Sequence, residues 1–243
     1  MRLDQALVAR WLAPTRSRAQ DMIARGCVAV DGATVTKSGH GVSEDAVIDV
    51  AGGAAPFVSR GGLKLAAALA EFGFNAAGRI ALDVGASTGG FTDVLLKAGA
   101  TRVYAVDIGH HQLHGSLKAD PRVISLEGTD ARRLSPHQVP EAFGAVVADV
   151  SFISLTKVLP VPLSFAESGA WLVGLIKPQF EAGRKAIGKG GIVRDPADRE
   201  RAVGEVRAWI AAQPGWSVVG VIPSPIAGAS GNEEFLIGAV RDG

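Results

Sequence analysis

The sequence has almost no cysteine: Cys27 is the single thiol among 243 residues. One thiol excludes an internal disulfide framework and any multi-thiolate metal site, and it fits a reduced, cytoplasmic setting. Charge of one sign is not in excess either. The 25 Lys and Arg stand against 24 Asp and Glu, a formal net of +1. That balance excludes a uniformly basic nucleic-acid binder and leaves room for a local basic patch. A long hydrophobic run is also missing. The longest nearly uncharged apolar stretch, Val158 to Ile176, contains Glu167 and is broken by Pro160, Pro162, Gly169 and Gly174. A membrane span needs about 20 mostly apolar residues in one helix. Near the start, Asp4 and Arg10 interrupt any apolar signal segment, so the chain reads as soluble and without a membrane partner.

Glycine and apolar residues are plentiful. Hydrophobic residues make up 47% and charged residues 20%, a balance that excludes a disordered chain. The 31 glycines are roughly 13% of the chain against an average near 7%. With no Gly-X-Y period, the excess points to tight turns and close backbone approaches to a ligand.

Two textures follow one another. In residues 1–50, Leu3, Leu7 and Trp11 recur at i, i+4, i+8, one face of a helix that Pro14 ends. Thr15 can cap a second helix running to about Arg25, with Gly26 as its stop. Residues 27–30 and 33–36 flank Asp31-Gly32 and read as a hairpin, with residues 47–50 as a third strand. The small, breaker-rich residues 51–57 read as a linker. From residue 58 to 243 strand-like and helix-like segments alternate. Strands are expected at 79–84, 102–107, 122–126, 144–149, 170–176, 216–222 and 234–240. Helices are expected at about 59–72, 90–98, 110–118, 154–164 and 195–212. Such alternation predicts an α/β fold, a doubly wound parallel sheet with right-handed crossovers. The short Pro223 to Asn232 loop cannot make a parallel crossover, so the last strand is expected to run antiparallel.

The first strand of this sheet enters Asp83-Val84-Gly85-Ala86-Ser87-Thr88-Gly89-Gly90-Phe91 and then a helix. The glycines let backbone amides approach a ligand at a helix N-terminus. The spacing is neither G-x-G-x-x-G nor a Walker motif, which weakens a dinucleotide or nucleoside-triphosphate reading. Asp107 ends the second strand, where a carboxylate can hold both hydroxyls of a ribose. Asp130 follows the third and could accept from an adenine amino group. Three carboxylates around a glycine turn suit a nucleoside carrying a sulfonium, and S-adenosylmethionine fits that description. The competing reading makes each Asp a helix cap.

Further charges gather at the expected carboxyl edge of the sheet. Asp149 ends the fourth strand, Lys177 ends the fifth, and Glu234 begins the antiparallel last one. Lys64 lies on the helix before the first strand, and the sequence does not aim it; an exposed surface charge is the competing reading. Two lysines at one edge would repel, a repulsion that Asp149 and Glu234 offset, and a lysine tuned toward neutrality can take a proton from a hydroxyl.

Ser59-Arg60-Gly61-Gly62-Leu63-Lys64-Leu65 and the runs LDVGASTGGFTDVLL (82–96), VADVSFISL (147–155), KPQFE (177–181) and GNEEF (231–235) resemble the TlyA family, named also for hemolysin A. These are bacterial ribosomal-RNA 2′-O-methyltransferases that join an S4-type RNA-binding domain to an FtsJ-like methyltransferase domain. The resemblance implies that fold, S-adenosylmethionine as cofactor, and cofactor contacts at Asp83, Gly85, Ala86, Ser87, Gly89, Gly90, Phe91, Asp107, Ile108 and Asp130. It implies a catalytic set of Lys64, Asp149, Lys177 and Glu234 acting on a cytidine 2′-hydroxyl, with large-subunit RNA as substrate and small-subunit RNA as a second candidate. Lys177 would accept the proton, Asp149 position the group, and Lys64 and Glu234 set the surrounding field. Two positions depart from the family pattern: His110-His111 stand where Tyr-Gly-like residues are expected, and Asp130 where Asn is common.

Ribosomal RNA or a ribosomal subunit is the expected partner. Arg2, Arg10, Arg16, Arg18 and Arg25 face only Asp4 and Asp21 in the first 25 residues. With Arg60, and with Arg184, Lys185 and Lys189 in a Gly-rich loop, they are the candidate RNA contacts. His110, His111 and His114 have a spacing that could hold a metal, but no further ligand type lies near and no metal is assigned. Two other readings stay open: a non-catalytic RNA-binding or assembly factor, and a membrane-active hemolysin.

Overall fold

The computed structural model describes every residue except Trp11, Pro14, Glu44, residues 51–56, Arg184, Lys185, Lys189, Ala229 and Ser230. Residues 51–56 of the expected 51–57 linker, the third residue of the first apolar stripe, and three of the loop cations therefore lie outside the described residues. The chain divides into two compact units, Met1–Arg60 and Gly61–Gly243.

In the first unit, helices α1 (Leu3–Ala9) and α2 (Arg16–Ala24) pack on a small antiparallel sheet of β1 (Val28–Val30), β2 (Ala33–Thr34) and β3 (Ile48–Val50), ordered β2-β1-β3. Thr15 caps α2 by accepting from the Arg18 amide. Asp31 and Gly32 both have positive φ, 50° and 81°, the conformation that a two-residue hairpin turn of the tightest kind requires. Leu3, Leu7, Ile23 and Val28 are fully buried and form the centre of this core.

The second unit opens with α3 (Gly61–Phe72) and is built on a seven-stranded sheet. Its strands are β4 (Ile80–Val84), β5 (Arg102–Asp107), β6 (Val123–Glu127), β7 (Phe143–Ala148), β8 (Ala166–Ile176), β9 (Trp216–Pro223) and β10 (Phe235–Arg241), ordered β6-β5-β4-β7-β8-β10-β9. The pairs from β6 to β8 are parallel, and β10 is antiparallel to both β8 and β9. Phe143 to Ala148 are all buried. Strands covered on both faces read as unbroken apolar runs, and this one does. Packed against the sheet are α4 (Gly90–Lys97) and α9 (Pro196–Ala211), the latter capped by Asp195.

Two expected helices are shorter than their sequence pattern. Only Gly115–Lys118 of 110–118 is helical, forming α5. Glu127 accepts from the amides of Gln112 and Leu113, and His111 has a φ of 57°, so the preceding residues form a loop. Residues 154–164 divide into α6 (Leu155–Val158) and α7 (Pro160–Ser164), because Pro160 has no amide hydrogen with which to continue a helix. The four-residue α8 (Pro178–Glu181) follows β8 directly. Among the described residues no helix is long and apolar enough to cross a membrane.

Candidate active site

The carboxyl edge of the sheet gathers charge by register. Ile176 of β8 pairs with Phe235 of β10, so the next positions, Lys177 and Glu234, face one another where the two strands run out. Asp149 follows β7, and its amide donates to the Val84 carbonyl, continuing the β4–β7 ladder. Lys64 comes from α3, whose buried positions include Lys64, Leu65, Ala68 and Leu69. Gly238 seats that helix: a Cβ there would meet the Phe72 ring at 2.6 Å. With Phe72 lodged against β10, the lysine two turns earlier reaches the end of the same strand.

Four charges form two ion pairs. Lys64 Nζ lies 2.5 Å from Glu234 Oε2, with side-chain exposures of 10% and 3%. Lys177 Nζ lies 2.6 Å from Asp149 Oδ1 and also donates to Ser151 Oγ at 3.0 Å. The surface-charge reading of Lys64 does not hold, because the residue is buried and paired. In the Lys64–Glu234 pair, the deeper of the two, each buried charge offsets the other.

Beside Asp149 a cavity of 830 Å³ opens along the ends of β4 and β5. Gly85, Ser87, Asp107, Ile108, Asp130 and Asp149 line it, together with Gln112, Ser151, Phe152, Lys157 and Phe180. Gly85 has a φ of 83°, and a Cβ there would collide with the Asp149 carbonyl oxygen. Only glycine fits between the turn and that strand end. Asp107 accepts from the amides of Ser87 and Gly109, both at 2.7 Å. Each oxygen keeps a lone pair for a ligand hydroxyl. Ile108 is 72% exposed at this wall.

Asp130 is more heavily used. It caps a 3₁₀ turn and holds the Arg132 guanidinium at 2.7 Å, which keeps its carboxyl below the ordinary range. Asp83, Ala86, Gly89, Gly90 and Phe91 do not line the cavity. Phe91 lies in the core, and Asp83 is fully buried with Oδ2 accepting from Thr92 Oγ1 at 2.6 Å. Asp83 Oδ1 has no hydrogen-bond partner among the described residues, and burial pushes this carboxyl up to about 7.

Sequence reasoning missed Ser151, Phe152, Phe180 and Glu181. The residues after Asp149 are laced to those after Lys177: Lys177 to Asp149 and Ser151, Phe152 against the Phe180 ring at 5.0 Å, and Glu181 Oε1 to the Leu155 amide at 2.9 Å. Burial pushes the Glu181 carboxyl up. Phe152 is 90% exposed and has a φ of 64°, a conformation that bulky residues avoid unless the surroundings impose it. The only signal was position, since all four lie inside the runs VADVSFISL and KPQFE.

In the first unit the candidate arginines have intramolecular partners. Buried Asp4 receives Arg2, Arg16 and Gln20. The hydrogen bonds from Arg2, Gln20 and Arg16 hold its carboxyl well below the usual carboxylate range. Arg18 and Arg25 share Asp21, and Arg10 donates to the carbonyls of Ser43 and Ala46. Arg2, Arg16, Arg18 and Arg25 remain about half exposed or more, so their outer edges stay open to an anion. Arg60 Nε is buried without a hydrogen-bond partner among the described residues. His114 caps α5 through Nδ1.

Residues 57–241 match the FtsJ-like methyltransferase family and residues 1–48 match the S4 domain. The chain is 46% identical over 237 residues to the 16S/23S rRNA (cytidine-2′-O)-methyltransferase TlyA of Mycobacterium tuberculosis, covering 97% of this chain and 88% of that protein. It is 44% identical to Hemolysin A of Brachyspira hyodysenteriae, over 97% of this chain and 98% of the relative. A solved structure of a hemolysin-named protein from Streptococcus thermophilus superposes with a TM-score of 0.77 at 40% identity, over 100% of this chain and 88% of that one. An O-methyltransferase from Bacillus cereus superposes at 0.51 with 17% identity, over 74% of this chain and 80% of that one, a likeness of fold alone. The chain belongs to the FtsJ-like methyltransferase family, as a TlyA relative carrying an N-terminal S4 domain, and is a methyltransferase.

Proposed function

We propose that this protein methylates the ribose 2′-hydroxyl of a cytidine in ribosomal RNA, in the cytoplasm, with S-adenosylmethionine as methyl donor. The observation that supports this most is the pair of buried or half-buried ion pairs at the strand ends, Lys64–Glu234 and Lys177–Asp149, of which Asp149 lines the cavity. The cavity fits the donor: Asp107 offers acceptors for two ribose hydroxyls, Ile108 an apolar wall for a base, and the Gly85 turn a close backbone approach. When bound, S-adenosylmethionine supplies an electrophilic methyl group on a positively charged sulfur.

Once its ammonium proton has passed to solvent, Lys177 takes the proton from the 2′-hydroxyl, and Asp149 holds the amine in place. Lys64 and Glu234 neutralise one another beside it, so the site keeps its field without an unpaired buried charge. Positioning of the hydroxyl beside the donor supplies most of the acceleration. The cations of the first unit would anchor the RNA backbone, a contact that weakens with salt.

The test is transfer of tritiated methyl to ribosomal subunits and to free ribosomal RNA. Wild type is expected to label one of them, and Lys177→Ala is expected to abolish labelling while binding S-adenosylmethionine normally. Normal turnover by that variant would overturn the assignment. Ribose-methylation mapping in a deletion strain and its parent then identifies the nucleotide and the subunit.

A further inference from the structure

We propose that Ser151 is a positioning residue that aims the lone pair of Lys177 at the acceptor hydroxyl, an inference that rests on the methyl-transfer reading above. The amine nitrogen is tetrahedral. Cε occupies one vertex, and in the neutral form two N–H groups and one lone pair occupy the rest. The structure gives both N–H groups an acceptor: Asp149 Oδ1 at 2.6 Å and Ser151 Oγ at 3.0 Å. The remaining vertex is then the lone pair.

Asp149 alone would not achieve this. With one N–H held, the other N–H and the lone pair can exchange places by rotation about the Cε–Nζ bond. In the wrong arrangement an N–H donates to the 2′-oxygen and occupies the electron pair that must attack. Ser151 removes that N–H from the competition. In the aimed arrangement the 2′-hydroxyl proton passes to the Nζ lone pair and the oxygen forms the bond to methyl. The electron pair of the broken S–CH3 bond stays on sulfur. The products are an ammonium, a methyl ether and a neutral thioether, and the ammonium then loses its proton to solvent.

The segment that carries Ser151 is held on both sides. The Asp149 amide donates to Val84, the Leu155 amide donates to Glu181, and Phe152 between them is in the left-handed region. Ser151 itself is exposed and lines the cavity, so its side chain has no part in the core.

Ser151→Ala and Ser151→Thr are assayed for methyl transfer to ribosomal RNA beside wild type and Lys177→Ala. RNA binding, calorimetric cofactor affinity and thermal midpoint are measured in parallel. For Ser151→Ala, kcat is expected to fall about tenfold or more, because a misaimed base loses proximity without losing substrate. Its RNA KM, its RNA and cofactor affinities and its thermal midpoint are expected to match wild type. Ser151→Thr, which keeps the hydroxyl, is expected to restore most of the rate. A wild-type kcat in Ser151→Ala overturns the proposal, as does a loss confined to KM or cofactor affinity, or failure of Thr to rescue. An inactive wild type, or an active Lys177→Ala, overturns the methyl-transfer reading itself and the proposal with it.

Discussion

Lys64 and Glu234 are 170 positions apart in the chain and meet at 2.5 Å, both almost wholly withdrawn from water. Removing either partner strands a buried charge, so Lys64→Ala and Glu234→Ala are each expected to cost about 3–5 kcal/mol of stability. The double variant should cost less than the sum of the two, because no charge is left unpaired. Urea titration of the three variants measures this, and strictly additive losses would count against a pair.

Asp83 should make stability depend on pH in an unusual direction. Its carboxyl is pushed up to about 7 by burial, against the hydrogen bond from Thr92, with the charge of Asp149 raising it further. The unfolded chain releases that proton near the ordinary aspartate value of 3.8. Between these values the folded protein binds more protons than the unfolded chain, so this contribution falls as pH rises across the window and levels off above it. Urea unfolding at about pH 5 and about pH 8 should show wild type losing more stability over that interval than Asp83→Asn. Parallel pH curves for the two proteins would remove Asp83 from the account.

Phe152 leaves a large ring in water beside Phe180 at the cavity mouth. We expect it to stack on the acceptor base, a contact worth about 1–3 kcal/mol. Phe152→Ala should therefore weaken RNA binding by about 5- to 150-fold at constant salt. Cofactor affinity should not move. Filter binding and calorimetry separate the two; an unchanged RNA affinity would leave the exposed ring without this role.

Asp107 is held by two backbone amides and faces the cavity. Hydrogen bonds to a charged group contribute about 1.5–3 kcal/mol each, so Asp107→Ala should bind S-adenosylmethionine at least about 10-fold more weakly. Asp107→Asn keeps one acceptor oxygen and should lose less. Calorimetry measures both, and equal affinity in Asp107→Ala would move the ribose elsewhere.

Asp149 and Lys177 could be read from the sequence because each ends an apolar strand, and strand ends define the ligand edge of such a sheet. The antiparallel last strand was legible for a similar reason: an eleven-residue connection between Pro223 and Phe235 is too short for a parallel crossover. Lys64 was not legible, since its aim depends on Phe72 lodging against Gly238. The roles of Ser151 and Glu181 were hidden in the same way, because Lys177–Ser151 and Glu181–Leu155 are both contacts across 26 positions. The helix pattern at 110–118 misled because apolar spacing does not register that Glu127 will take the Gln112 and Leu113 amides.

The order of strands and helices, the glycine turn after β4 and the charged strand ends follow from the sequence alone, because periodicity, turn chemistry and chain length are local properties. The tertiary structure decided which carboxylate meets which lysine, which of those charges lose their water, and which hydroxyl shares the amine of Lys177. Those outcomes depend on register between strands distant in sequence and on one helix seated against β10, and desolvation acts only once the sheet has closed around them.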